Sequence, residues 1–239
     1  MSGHAPLIDF HAHILPGADH GSSGIEESLN QLALIQNAGV DTVVATPHFY
    51  PNLHNPTQFL QAVNSSAEKL AAHLSDSSPR ICIGAEVLYC DRLDEMEQLD
   101  QLCIRGTNIL LLELPMSDWH QELFDTVEAL SRQYTVVLAH IDRYIRIQQE
   151  EIGALLALGA YAQINTSAFF CFLERKRLAP FLESDRVVAL GSDLHNAPPR
   201  QYHQFVAAKR KLGAMHPEIM RRSQALLKNA TDCKALYPA

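Results

Sequence analysis

A disulfide framework is the first thing this sequence lacks. Its five cysteines, Cys82, Cys90, Cys103, Cys171 and Cys233, are odd in number, irregularly spaced and form no CxxC, a pattern that suits a reducing cytosol. Long apolar runs are missing too: none approaches the roughly 18 residues of a membrane span, so no membrane insertion is expected. The opening MSGHAP has neither the basic nor the apolar region of a secretory signal, and a cytoplasmic location is the expectation. Positive charge is in deficit. With 19 Lys and Arg against 27 Asp and Glu, the formal net charge of −8 argues against a nucleic-acid partner. Linkers, fixed-period repeats and low-complexity segments are absent as well, so residues 1–239 read as a single domain.

What remains is an ordinary globular composition, 47% hydrophobic and 19% charged, able to bury a sizeable core. Short β-rich apolar runs recur: LIDF (7–10), TVVAT (42–46), RICIGAE (80–86), ILLLEL (109–114), TVVLAH (135–140), AYAQIN (160–165) and RVVALGS (186–192). Helical patterns separate them, near 25–38, 57–75, 120–133, 147–158, 169–183 and 200–213, with another near 217–229 and an ambiguous insertion at 91–102. Ser23 and Glu26 form a candidate capping box for the first helix, and Gly39, Gly159 and Gly213 are candidate helix stops. Continuous apolar strands are those buried on both faces. Seven βα units predict a closed or nearly closed parallel α/β barrel, with an open doubly wound sheet as the structural rival.

Chemistry in such folds gathers at the carboxyl ends of the strands. Here every predicted end carries a ligand-type side chain: His11 and His13; His48; Glu86; Glu113; His140; Gln163 and Asn165; Asp193 and His195. In HAH and DLH the two donors are two residues apart, which on a strand sets both on one face. Mixed imidazole and carboxylate donors suit Mn, Fe or Zn, and their number exceeds the needs of one ion. A cluster with bridging carboxylates is therefore expected, able to activate water and stabilise charge on a phosphoryl or acyl oxygen. Arg143 and Arg200 lie close in sequence to His140 and His195, and a guanidinium fork matches phosphate oxygens. His4, His54, His73, His120, His203 and His216 have no such placement and read as surface or packing residues.

DFHAHILPGADHG, ATPHF, GAEV, LELP, AHIDRY and GSDLHN resemble, in order and over nearly the whole chain, the PHP (polymerase and histidinol phosphatase) superfamily. Within it they resemble the bacterial metal-dependent protein-tyrosine phosphatases of capsule and exopolysaccharide synthesis. The resemblance implies a distorted (β/α)7 barrel holding up to three ions, usually manganese. It implies that His11, His13, Glu86 and Asp193 hold one ion, Glu86 bridges to a second with Glu113 and His140, and His48 and His195 hold the third. The family's DDG turn reads DHG here, which aligns His20 with the missing aspartate and leaves Asp19 beside it as the alternative ligand. Asp142 stands where the family commonly has glutamate. Arg143 and Arg200 match the phosphate-binding arginines.

The implied reaction is hydrolysis of phosphotyrosine on a protein, the partner being the tyrosine-rich tail of a bacterial kinase that controls polysaccharide export. A metal-activated water would attack phosphorus in line, with Asp142 or a nearby histidine as the general acid if one is used. A histidinol-phosphate or nucleotide phosphoesterase, a metal-dependent amidohydrolase and a non-catalytic metal-binding regulator are the competing readings. A cysteine-based phosphatase is disfavoured: Cys171 to Arg177 spells C-x5-R, but the stretch has no glycine to aim backbone N–H groups at a phosphate and reads as a helix. The tip 49–56 and the insertion near 89–103 follow ligand-bearing strands and are candidates for shaping the substrate entrance.

Overall fold

The computed structural model describes residues 6–116, 119–196 and 199–237, with the side chains of 199–201 and 236 outside that description. Its strands are β1 (Ile8–Ala12), β2 (Thr42–Ala45), β3 (His48–Phe49), β4 (Arg80–Ile83), β5 (Glu86–Leu88), β6 (Ile109–Glu113), β7 (Thr135–Leu138), β8 (Tyr161–Asn165) and β9 (Val187–Gly191). The helices are α1 (Ile25–Asn37), α2 (Pro56–Ala71), α3 (Gln121–Ser131), α4 (Gln149–Ala157), α5 (Phe172–Leu182), α6 (Pro199–Leu212), α7 (Met215–Leu226) and the short α8 (Cys233–Leu236).

One predicted strand is interrupted and another is followed by an unexpected strand. The third breaks at Gly84–Ala85, and the second ends at Ala45, after which Thr46–Pro47, where proline has no N–H to give, separates it from the short β3. Backbone bonds carry the ladder across both breaks, from Gly84 N–H to Ala45 O at 2.9 Å and from Glu86 N–H to Pro47 O at 3.0 Å. The strands form two parallel sheets, β1-β2-β4 and β3-β5-β6-β7-β8-β9. On the far side, Asp193 N–H reaches His11 O (2.8 Å) and His13 N–H reaches Leu194 O (3.0 Å), so the end of β9 pairs with β1. The result is a distorted α/β barrel, closed by hydrogen bonds from the ligand-bearing segments themselves.

Local chemistry sets the elements. Asn55 caps α2, its side chain accepting from Gln58 N–H at 3.2 Å, and Pro56 takes the first helical position where its missing N–H costs nothing. At α1 the expected capping pair is corrected. Gly24 is the cap, and Glu27, not Glu26, reaches back to the N–H and hydroxyl of Ser23. The insertion at 91–102 folds into two 3-10 turns, Leu93–Glu95 and Leu99–Leu102, held down by buried Leu93, Leu99 and Leu102. A further 3-10 turn, Thr166–Phe170, precedes α5.

β1 carries an irregularity, because Asp9 pairs with Val43 and Ala12 with Ala45, three residues against two. Beneath the strand ends, Val43, Val44, Leu110, Leu112, Val136, Leu138, Val187 and Leu190 are buried. Each such side chain contributes on the order of 1.5–3 kcal/mol. That reserve lets the carboxyl ends hold what would otherwise be costly: buried carboxylates and two non-glycine residues, His140 (φ 31°) and Asp193 (φ 53°), in the left-handed region.

Candidate metal centre

His11 and His13 leave β1 side by side. The Nδ1 of His11 lies 3.2 Å from Gln163 Oε1, and the Nδ1 of His13 lies 2.7 Å from Asp19 Oδ2. Both acceptors lack protons at those oxygens, so each Nδ1 must be the N–H donor. In the neutral rings that leaves a lone pair on each Nε2, yet the two Nε2 atoms face each other at 3.1 Å. Glu86 Oε2 sits 3.2 Å from the first and 3.3 Å from the second, and Asp193 Oδ1 at 3.8 and 3.5 Å. Lone pairs and anionic oxygens aimed at one point repel unless cations lie among them.

The other strand ends add to the same cluster. His140 Nε2 is 2.7 Å from Glu86 Oε1 and 3.6 Å from Glu113 Oε1, and its Nδ1 faces the Tyr144 hydroxyl at 3.4 Å. That hydroxyl donates to Leu114 O (2.8 Å), leaving its oxygen to accept from His140. His48 Nδ1 is 2.9 Å from Glu86 Oε2 without hydrogen-bond alignment, and both atoms are buried with no hydrogen-bond partner. His48 Nε2 lies 3.3 Å from His195 Nε2, whose Nδ1 donates to the backbone oxygen of Asp193 at 3.1 Å. Four donor groups close within 4.8 Å: His11, Glu86 and His140; His11, His13 and Asp193; His48, Glu86 and Glu113; His13, His48 and His195. Glu86, shared by two groups, is where a bridging carboxylate would stand. The grouping differs from the expected one, in that Glu113 closes with His48 and His140 with His11.

Protonation preferences carry the same signature. Burial would depress His11 and His13, but the charges and hydrogen bonds of the surrounding carboxylates outweigh it and raise both. Burial likewise opposes ionisation of Glu86 and Asp193, and the adjoining imidazoles hold both well below the usual carboxylate range. Glu113 is pushed up to about 7 by burial and by the charge of Glu86. His48 and His140 are lowered, mainly by burial. Without ions, protonation of His11 and His13 is favoured at the same lone pairs that cations would take. The donor set thus fits divalent ions of the Mn, Fe or Zn type.

Other residues surround these donors. Arg143 pairs through Nη2 with Asp193 Oδ2 and reaches Glu113 Oε1 at 3.5 Å, with its side chain partly open to solvent. Asp142 Oδ1 accepts from Asn165 N–H at 2.8 Å, and burial pushes its carboxyl up to about 7. The side chain of Arg200 lies outside the described residues; its backbone opens α6. His20 is exposed and stacks 4.7 Å from His48 and 4.8 Å from His195, but it joins none of the four donor groups. Asp19 instead holds His13 and accepts from the N–H groups of Gly21 (2.8 Å) and His48 (3.0 Å).

Sequence reasoning missed this supporting layer. Gln163 Oε1 accepts from His140 N–H (2.6 Å) as well as from His11, its Nε2 donates to Asn165 Oδ1 (2.9 Å), and Asn165 Nδ2 donates onward to Asp193 Oδ2 (2.9 Å). Gln163 and Asn165 therefore orient ligands, where strand position alone had placed them among possible ones. Hydrogen bonds to the far nitrogen of a ligating histidine fix its tautomer and basicity.

Residues 7–230 match the family described as capsular polysaccharide synthesis, CpsB/CapC. The tyrosine-protein phosphatase CpsB of Streptococcus pneumoniae is 30% identical over 224 residues, covering 87% of this chain and 92% of that protein. A solved structure from work on YwqE of Bacillus subtilis and CpsB of Streptococcus pneumoniae, described as unique metal-dependent tyrosine phosphatases, superposes with a TM-score of 0.79. It is 23% identical and covers 94% of this chain and 96% of its own. A histidinol phosphate phosphatase from Lactococcus lactis, complexed with zinc, L-histidinol and phosphate, shares the fold with a TM-score of 0.56 at 18% identity. That match covers 87% of this chain and 94% of the other.

Proposed function

The chain belongs to the CpsB/CapC family of capsular polysaccharide synthesis proteins, and from that premise we propose that it is a metal-dependent phosphomonoesterase acting on phosphotyrosine in a protein. One observation carries the reading: two imidazole nitrogens, each with its proton committed elsewhere, face one another at 3.1 Å beside a buried carboxylate oxygen that has no hydrogen-bond partner. Manganese is the ion we assign, and the substrate is the tyrosine-rich tail of a cytoplasmic-side kinase. The ligands are His11, His13, His48, Glu86, Glu113, His140, Asp193 and His195, with His20 the candidate to complete the third ion. Residues 1–239 act as one phosphatase domain.

Bound ions supply Lewis acidity that activates water and neutralises charge on the transferring phosphoryl group. The chain's own groups do the rest. Asp19, Gln163 and the Tyr144 hydroxyl hold the Nδ1 protons of His13, His11 and His140, so that all three Nε2 lone pairs point inward. Arg143, tethered to two ligand carboxylates at the rim, presents its fork to phosphoryl oxygens, joined in this role by Arg200. Asp142, protonated to higher pH than an ordinary aspartate, is the proton donor for the leaving oxygen. Tyr50 favours an aryl substrate: half-buried, it stacks on His48 at 5.3 Å and 15°, and its N–H is pinned by His54 Nδ1 at 3.1 Å.

The test is a panel of p-nitrophenyl phosphate, a phosphotyrosine peptide, histidinol phosphate and an amide, each with manganese and with chelator. Turnover of the first two, abolished by chelation and restored by manganese, is expected. His140→Ala and Arg143→Ala should remove most activity and Cys171→Ser should leave it intact. Preference for histidinol phosphate over the peptide, or activity that survives exhaustive chelation, would overturn the reading.

A further inference from the structure

Of the eight large apolar side chains exposed among the described residues, four lie on two adjoining segments of the barrel's carboxyl face. Ile147 (77% exposed) lies on the loop after β7, and Phe170 (41%), Phe172 (69%) and Leu173 (58%) lie between β8 and the first turn of α5. An ion pair joins the two loops, from Arg146 beside Ile147 to Glu174 beside Leu173. Two cations stand over the aromatic rings: Arg175 lies 5.8 Å from the Phe172 centroid and Lys211 lies 5.7 Å from that of Phe170. Glu174, the acid within the 170–175 stretch, is already taken by Arg146, so on the Phe170–Leu173 side the charge without an ion pair among the described residues is that of Arg175 and Lys211, on a chain whose net charge is −8, while Glu150 and Glu151 stand beyond Ile147 at the start of α4.

Contiguous exposed apolar surface flanked by charge marks an interaction site. We propose that this surface docks the polypeptide segment that carries the phosphotyrosine, and that the segment has apolar and acidic residues within about four positions of it. The inference rests on the phosphotyrosine reading and adds a sequence preference to it. Three features point to that occupant. Ile147 is four residues along from Arg143, a span of at most ~14 Å, which about four residues of an extended peptide would cover. The patch is spread over separate loops at the mouth instead of enclosing a cavity, so it suits a strand of polypeptide better than a small molecule. On its Phe170–Leu173 side, Arg175 and Lys211, which have no ion pair among the described residues, complement acidic side chains that the rest of this anionic protein would repel.

The experiment compares the manganese-loaded full chain with Phe172→Ser/Leu173→Ser and with Lys211→Glu. Substrates are p-nitrophenyl phosphate and two phosphotyrosine peptides, one with Glu and Leu near the modified residue and one with Lys and Ser there. The expected result is a KM for the acidic, apolar peptide about tenfold below that for the basic one. Each variant should raise that KM by roughly three- to tenfold while kcat and KM for p-nitrophenyl phosphate stay unchanged. Equal KM for the two peptides, or variants that leave the peptide KM unmoved, would overturn the docking proposal while leaving the phosphatase reading intact. No turnover of either peptide, with histidinol phosphate hydrolysed, would instead overturn the parent reading. If the double variant loses both substrates alike, the exposed Lys211→Glu change decides, since it removes no buried contact. Two further measurements name rival occupants: loss of binding to phosphatidylglycerol vesicles, or of a dimer in light scattering, with peptide KM unchanged, would each replace the proposal.

Discussion

Asp19 Oδ2 stands 2.7 Å from His13 Nδ1 and 3.0 Å from the backbone N–H of His48, so one carboxylate oxygen orients donors from two different strands. Replacing it with alanine releases the His13 ring and one backbone N–H together. Asp19→Ala should weaken manganese affinity about 10- to 100-fold, read by titration calorimetry, while far-ultraviolet circular dichroism stays native. Asp19→Asn, which keeps an acceptor but not the charge, should fall between.

Removing the ions should invert the pH dependence of stability. In the metal-free chain His11 and His13 are raised, so their contribution is complete below the unfolded value of about 6.5 and is lost as pH rises through the folded values. His48 and His140, lowered by burial, are already neutral in both states above that pH and add no opposing slope there. Chelated protein should therefore melt at progressively lower temperature as pH rises above about 6.5. Manganese-loaded protein should gain stability from pH 6 to 7, as protons stop competing for the ligands. Paired thermal melts across pH, with and without chelator, check both slopes.

Two glycines packed against ligand histidines admit no side chain. A Cβ at Gly21 would fall 2.1 Å from the His13 Cβ, and one at Gly191 would fall 2.7 Å from the His11 Cβ and 2.6 Å from Gln163 Nε2. Gly21→Ala and Gly191→Ala should each cost on the order of 1–3 kcal/mol or more, with metal content falling in the same samples. Chemical denaturation and elemental analysis read the two effects. Gly153→Ala, inside α4 where an added Cβ meets nothing within 4 Å and alanine favours the helix, is the control.

The alkaline side of the rate profile should belong to Asp142. Burial holds its carboxyl near 7, and bound cations would draw it lower. As a proton donor it must be protonated, so kcat should decline as pH rises through about 7 or below. Asp142→Asn should lower kcat and remove that limb, and the effect should be larger for a phosphotyrosine peptide than for p-nitrophenyl phosphate, whose leaving oxygen is less basic.

The ligand-type residues were legible because parallel strands buried on both faces announce themselves as apolar runs, and a run's last residue marks the mouth. His11, Glu86, Glu113, His140 and Asp193 needed no more than that rule to be placed together. Where Glu113 and His140 sit among the others was not legible, since grouping depends on distances of an ångström or two. The roles of Asp19, Gln163 and Tyr144 were hidden for a related reason: each acts on the far nitrogen of a ligand, and nothing in residue type separates a carboxamide that orients from one that binds. The end of the second strand before Pro47 was legible, but the two-residue strand His48–Phe49 beyond it was too short to announce itself. Ser23 and Glu26 had the spacing of a capping box, but a helix that begins one residue later made Glu27 the partner.

The seam between His11, His13, Asp193 and Leu194 has a consequence for biosynthesis. Because the same stretches that carry donors also zip the barrel shut, a chain still emerging from the ribosome before residue 194 has neither a finished cylinder nor a full set of groups for a cation. Completion of the metal site is therefore a late event, reserved for polypeptide in which β1 has met the segment after β9. Half-made enzyme would then lack the full cluster on which phosphate cleavage depends.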